Sequence, residues 1–257
     1  MKKPLLPFLL CLLCSFAHAQ DDNNKLIYLD AAGAPVKAKH AKRLRQINRL
    51  NDSLYEINLY KMDGPRISSI QSNTADGAVP DGYWISYDAR GYADTIGHFD
   101  RGERDGYWTL KQEGRYLGKQ YYEHNKLIWQ KDSAQLHREW LDDSAKAVAA
   151  GKPNVFQKAG YPGGDQGWLR YLIKHLRYPD EAVDKGLMGM VWVTFSIDQD
   201  GELRTDPLLV VKSVAYSLDR ESLAVISESG LWEPEVRFGE KVKTWRTQPV
   251  VYQFSKR

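Results

Sequence analysis

The residues of this 257-residue chain that could do chemistry are six histidines, two cysteines and one cluster of carboxylates. Cys11-x-x-Cys14 has the spacing of a redox pair or half a metal site. It lies, however, inside a short apolar run at the start of the chain. His18, His40, His98, His124, His137 and His175 are scattered. None makes the His-x-His or His-x-x-x-His spacing that brings two imidazoles to one ion. His137, Glu139, Asp142 and Asp143 gather in one polar stretch. Paired carboxylates do acid–base work only in a cleft that moves their pKa values, and a solvated helix face is the simpler reading here. Gly163-Gly164 ahead of a helix offers N–H groups to an anion, but a flexible entry is the plainer role. There is no Gly-x-Ser-x-Gly, Walker loop or dinucleotide fingerprint. The sequence therefore assigns no catalytic residue, no metal and no cofactor, and it points to a binding protein rather than an enzyme.

The elements that would position a binding surface begin after a leader. Lys2-Lys3, the apolar stretch Leu5 to Phe16 and the small-x-small Ala17-His18-Ala19 read as a signal peptide over residues 1–19, cleaved to leave Gln20 first. The run is shorter than the roughly 20 apolar residues of a membrane span and contains Pro7. Leu precedes both cysteines, where a lipobox requires a small residue. The expectation is a periplasmic protein with no anchor after cleavage and no cysteine. Lys2 and Lys3 carry two of the formal net charge of +3, so the remaining balance gives no reason for a nucleic-acid partner. The basic run Lys37 to Arg49 could meet an anionic surface such as lipopolysaccharide, but a solvated face is favoured.

Residues 25–130 read as β structure. Asp81-Gly82-Tyr83-Trp84 recurs as Asp105-Gly106-Tyr107-Trp108, and a decayed third copy runs from Tyr122 to Trp129. Gly91 and Gly114 mark hairpin turns between copies. This pattern resembles MORN-type repeats, which implies strand–turn–strand units stacked into one antiparallel sheet, with the aromatics mainly as core ladders. Residues 131–158 form a helical linker, broken at Gly151-Lys152-Pro153.

Residues 159–257 are expected to form a second unit, with residues 155–257 able to fold alone. Asp165 is a candidate N-cap, and Leu169, Leu172, Ile173 and Leu176 make a helical stripe ended by Pro179. Val191, Val193, Phe195 and Ile197 alternate with Trp192, Thr194 and Ser196, so Trp192 belongs on the helix-free face. Asp200-Gly201 marks a turn into the strand Leu208–Val211, which Pro207 places at an edge or a strand start. A helix follows, with Asp219 and Glu221 near its N-terminus. Residues 242–254 make a last strand, with Val250, Tyr252 and Phe254 on one face. The whole chain is thus α+β: an antiparallel repeat sheet, a helical linker, and an antiparallel sheet carrying two helices on one face.

The second unit resembles the TonB C-terminal domain, in versions common in Bacteroidetes-type envelope proteins. The resemblance rests on the opening Tyr161-Pro162-Gly163-Gly164, then Tyr178-Pro179, Ala182, Gly186, Gly189, Val191, Phe195, Asp200-Gly201, Ser213, Leu218-Asp219, Trp232, Pro234, Gly239, Val242 and Pro249. It implies binding of peptides from outer-membrane transporters by β-augmentation. Carried over, the partner-binding residues are Arg177, Tyr178 and Pro179 with Thr247, Val250, Val251, Tyr252, Gln253 and Phe254. The family's energy transducers have an uncleaved membrane helix and a proline-rich spacer, where this chain has a cleavable leader and repeats. Two functions follow as expectations. One is a periplasmic TonB-like adaptor for transporters; the other is an envelope scaffold holding two partners. The open edge also permits a homodimer.

Overall fold

A computed structural model describes residues 24–254; the leader and its cysteines lie outside the described residues. The first ten strands are β1 (Asn24–Leu29), β2 (Arg43–Arg49), β3 (Tyr55–Lys61), β4 (Arg66–Ser72), β5 (Pro80–Tyr87), β6 (Ala93–Asp100), β7 (Glu103–Arg104), β8 (Gly106–Gln112), β9 (Arg115–Glu123) and β10 (Lys126–Asp132). They form one antiparallel sheet in sequence order, with the short β7 paired to β6 off the main path. Each hairpin returns the chain beside the strand it has just left, so a meander needs no crossover. The two Asp-Gly-Tyr-Trp copies occupy equivalent places, at the starts of β5 and β8.

Their aromatics divide between the two faces of the sheet. Trp108 is buried, lying edge-on to Phe99 at 5.3 Å and tilted against Trp84 at 5.6 Å. Gly97 makes room for it, since a Cβ there would fall 2.3 Å from the Trp108 ring. Tyr107 points the other way and is 60% exposed. It begins a row continued by Tyr121 and Trp129 on β9 and β10, with ring centroids 5.1 and 6.0 Å from its own.

Helix α1 (Ser133–Ala149) starts on a capping box, in which Asp132 accepts from the Gln135 N–H and the Gln135 side chain accepts from the Asp132 N–H. No residue of it is buried. The remaining elements are β11 (Phe156–Gln157), α2 (Gly164–His175), α3 (Asp180–Asp184), β12 (Gly189–Ile197), β13 (Leu203–Lys212), α4 (Tyr216–Ser227), β14 (Glu235–Arg237), β15 (Glu240–Val242) and β16 (Thr244–Tyr252). They make two further three-stranded antiparallel sheets, ordered β13-β12-β16 and β11-β14-β15.

In the first of these, Val191, Val193, Phe195 and Ile197 alternate inward as their spacing requires. With Val210, Val250 and Tyr252 they pack beneath Trp168 of α2 and Leu218, Val225 and Ile226 of α4. Three details differ from expectation. Leu169 and Ile173 are 57% and 76% exposed. The buried stripe of α2 is instead Trp168, Tyr171 and Leu172, because Trp168 stacks on Tyr171 and meets Trp232 at 5.5 Å. Those larger rings remove more apolar surface from water than the aliphatic stripe would. Asp165 lies in the first turn rather than capping it; the N-cap is Gly163, in the left-handed region at φ 77°. Pro207 lies in an edge strand as expected, within β13, where the register against β12 shifts between the pairs Thr194↔Leu209 and Ser196↔Arg204. A bulge tolerates a residue that cannot donate. The expected last strand is divided: β15 joins the small sheet, and Phe254 lies beyond the end of β16.

The helix-free face of the β13-β12-β16 sheet is not open. Leu209, Val211 and Trp192 pack against Ile85, Tyr87 and Ala93 of the large sheet. The Tyr87 hydroxyl donates to the Val210 carbonyl at 2.6 Å, and the Ser213 N–H donates to the Gly91 carbonyl at 2.8 Å. Gly91 is at φ 83°, and a Cβ on it would lie 2.3 Å from the Ser213 carbonyl oxygen. The two sheets therefore meet backbone to backbone at this turn.

Candidate partner-binding edge

Strand β16 pairs with β12 from Thr244↔Ile197 to Tyr252↔Gly189 and, among the described residues, has no strand on its other side. An unpaired edge presents a row of N–H and C=O groups. Pro249 stays in register opposite Trp192. A proline is accommodated in a paired strand with its nitrogen turned away from the partner. That fixes the backbone groups of Trp245, Thr247 and Val251, together with the Pro249 carbonyl, toward the free edge. Side chains alternate in step with this, perpendicular to the sheet. Thr244, Gln248, Val250 and Tyr252 are buried under the helices, while Trp245, Thr247 and Val251 are exposed on the opposite face.

Two of the three segments proposed from sequence meet at the C-terminal end of β16. Tyr178 stacks on Phe254 at 4.9 Å and meets Tyr252 edge-on at 5.5 Å. Pro179 is the N-cap of α3, and the Arg177 N–H donates to Glu221 Oε1 at 2.8 Å. Burial raises the Tyr178 and Tyr252 phenols above their ordinary pKa, so both are neutral packing groups. Val250 and Tyr252 are core residues whose side chains are buried and whose backbone groups face β12. Val251 and Gln253 are exposed. Thr247 stands apart, toward the other end of the strand, where its hydroxyl pairs with that of Thr194 at 2.7 Å.

Sequence reasoning missed what surrounds that other end. Trp245 is half exposed and lines two clefts. One, of about 540 Å³, lies between β16, Trp140 of α1, and Phe156 to Ala159. Arg246 spans it, donating from Nη1 to the Ala159 carbonyl at 2.6 Å. The other, of about 490 Å³, lies between Thr194 and Trp245 on one side and Tyr107, Thr109, Lys111 and Lys119 of the large sheet on the other. Burial lowers the Lys111 pKa. The aromatic Trp245 was the available signal in the sequence; the rest depends on residues distant in the chain.

The large sheet is fastened on the opposite side, at the end of β13 and the start of α4, by a buried polar network. Arg66 Nε donates to the Tyr60 hydroxyl at 2.7 Å and to Asp219 Oδ2 at 3.1 Å, and its Nη1 donates to Asn58 Oδ1 at 2.9 Å. The Arg66 N–H donates to Ser213 Oγ at 2.8 Å, and the Ser213 hydroxyl donates to Asp219 Oδ2 at 2.6 Å. The Val214 N–H completes the carboxylate shell, donating to Asp219 Oδ1 at 3.1 Å. Burial raises the Asp219 carboxyl pKa, against the downward pull of Arg66, Ser213 and the Val214 N–H. Among the described residues, no group of three or more His, Cys, Asp or Glu side chains is placed to hold a metal ion, and no helix is long and apolar enough to cross a membrane.

The segment is thus a short antiparallel sheet with helices on one face and β16 as an edge strand. Residues 174–254 match the family model of the Gram-negative bacterial TonB protein C-terminal, from the last turn of α2 to Phe254. The solution structure of the Helicobacter pylori TonB C-terminal domain is similar to this chain at 25% identity, over 35% of this chain and 78% of that one, with a TM-score of 0.29. No curated protein matches.

Proposed function

We propose that this protein is a periplasmic, non-enzymatic TonB-like adaptor in energy-coupled transport. It captures an extended peptide of an outer-membrane transporter by strand addition to β16. The observation that carries this reading is the unpaired outer edge of β16, in a segment that matches the TonB C-terminal family. Main-chain hydrogen bonds supply affinity in this mode, and alternate side chains supply specificity. Arg177, Tyr178, Pro179 and Thr247 with Val250 to Phe254 are the residues we assign to the contact, Val250 and Tyr252 by anchoring the edge strand in the core. The reading includes cleavage of residues 1–19, a MORN-like repeat unit over residues 25–130, a linker over 131–158 and the TonB-like unit over 159–257.

Val251→Pro tests it. This substitution removes an outward N–H while leaving the buried face of β16 intact. Loss of transporter-peptide capture by a variant that folds normally by circular dichroism is the expected result. Undiminished capture would shift the reading to an envelope scaffold. A concentration-dependent dimer abolished by the same proline, with no effect on peptide, would assign the edge to a second copy of the chain.

A further inference from the structure

The cleft between the large sheet and β16 has an electrostatic character of its own. Lys111 and Lys119 line it, and no carboxylate does. Lys119 Nζ lies 5.5 Å from the centroid of the Tyr107 ring. Lys111 is half-buried on the cleft wall, and its ammonium makes neither a hydrogen bond nor an ion pair among the described residues. A desolvated ammonium without a counter-charge is unfavourable, and burial accordingly lowers its pKa. Such a group gains most from an incoming anion.

The cleft is continuous with the free edge. Trp245 is both a wall of the cleft and the first exposed residue of β16. A strand added to β16 places every second side chain on the face that carries Trp245 and Thr247, and hence toward Lys111 and Lys119. Nothing in the small sheet alone provides this charge; it comes from β8 and β9.

We propose that Lys111 and Lys119 select the peptide docked on β16, by binding acidic side chains at alternate positions of that strand. The large sheet is then half of the recognition site rather than a spacer. This proposal rests on strand addition at β16, and the two are separable by experiment.

The probes are two fluorescein-labelled octapeptides, one alternating valine with glutamate and one alternating valine with glutamine, titrated by anisotropy into the full chain. Wild type should bind the glutamate peptide about tenfold more tightly. Lys111→Met with Lys119→Met should equalise the two without weakening the glutamine peptide, and Lys111→Gln or Lys119→Gln alone should narrow the gap partway. Melting curves confirm that each variant is folded; if the double variant is not, the single glutamine variants decide. Val251→Pro should release both peptides. Equal binding by wild type, or a glutamate preference that survives loss of both lysines, overturns the selection while leaving strand addition intact. A lysine-dependent preference that survives Val251→Pro overturns the assignment to a docked strand and marks the cleft as a site for free anions. If the glutamine peptide also ignores Val251→Pro, strand addition at β16 fails with it.

Discussion

Arg66 of β4 and Asp219 of α4 form an ion pair closed to solvent, Nε to Oδ2 at 3.1 Å, across the junction of the two sheets. Each is also held by neutral groups of its own side, Arg66 by Tyr60 and Asn58, Asp219 by Ser213 and Val214. A buried pair adds little net stability compared with apolar groups of the same shape, but removing one member leaves a stranded charge.

Arg66→Met should therefore cost about 3–5 kcal/mol in urea unfolding at neutral pH, and Arg66→Met with Asp219→Leu should recover part of it. The deficit has a pH signature. Burial already raises the Asp219 carboxyl, and Arg66 pulls it down, so the single variant raises it further. A carboxyl raised by folding contributes stability below its unfolded pKa of about 3.9, and that contribution is lost as pH rises through its folded pKa. The deficit of Arg66→Met relative to wild type should thus be smallest in acid and grow toward neutrality. A constant deficit from pH 4 to 7 would show that Asp219 does not carry it.

Trp192→Ala should now approach Phe195→Ala in cost, each about 3 kcal/mol or more. Phe195 fills the core under the helices, and Trp192 meets Tyr92 edge-on at 5.7 Å and packs against the cluster between the sheets. By the same reasoning residues 155–257 in isolation expose Leu209, Val211 and Trp192 and lose the Asp219 counter-charge. A broad, non-cooperative melt of that fragment is expected. A sharp one, matching the full chain, would mean that the junction adds nothing to its stability.

Gly97→Ala should destabilise by about 1–3 kcal/mol through overpacking, because the new methyl meets the Trp108 ring at 2.3 Å. Gly97 is not at positive φ, so Trp108→Leu in the same background should relieve most of the loss. If it does not, the strain lies elsewhere than in this contact.

What the sequence made legible was whatever a local period determines. The alternation from Val191 to Ile197 marked a strand and its buried face, and Gly151-Lys152-Pro153 marked the end of the linker helix. In α2 the stripe read from the sequence was Leu169, Leu172, Ile173 and Leu176, and an aromatic stripe of Trp168 and Tyr171 overlaps it in the structure. Tertiary contacts among Trp168, Tyr171 and Trp232 selected the aromatic one, and no helical periodicity could have done so. Asp219 read as a helix N-terminal charge, but Arg66, which pairs with it, lies 153 positions away. For the same reason Tyr178 and β16 were recognisable as a candidate edge, while the lysine-lined cleft beside them was not. That cleft exists only because two sheets meet.

The strictly sequential order of the first ten strands also bears on how the chain folds. Every ladder joins near neighbours, so each hairpin closes a short loop at small entropic cost, and the sheet has a low contact order. The junction is the opposite case: its Arg66–Asp219 and Arg66–Ser213 contacts close loops of 153 and 147 positions. The large sheet is therefore the early-forming half. It is a ready-made template on which β12, β13 and α4 settle, so the last step of folding is also the step that shapes the cleft.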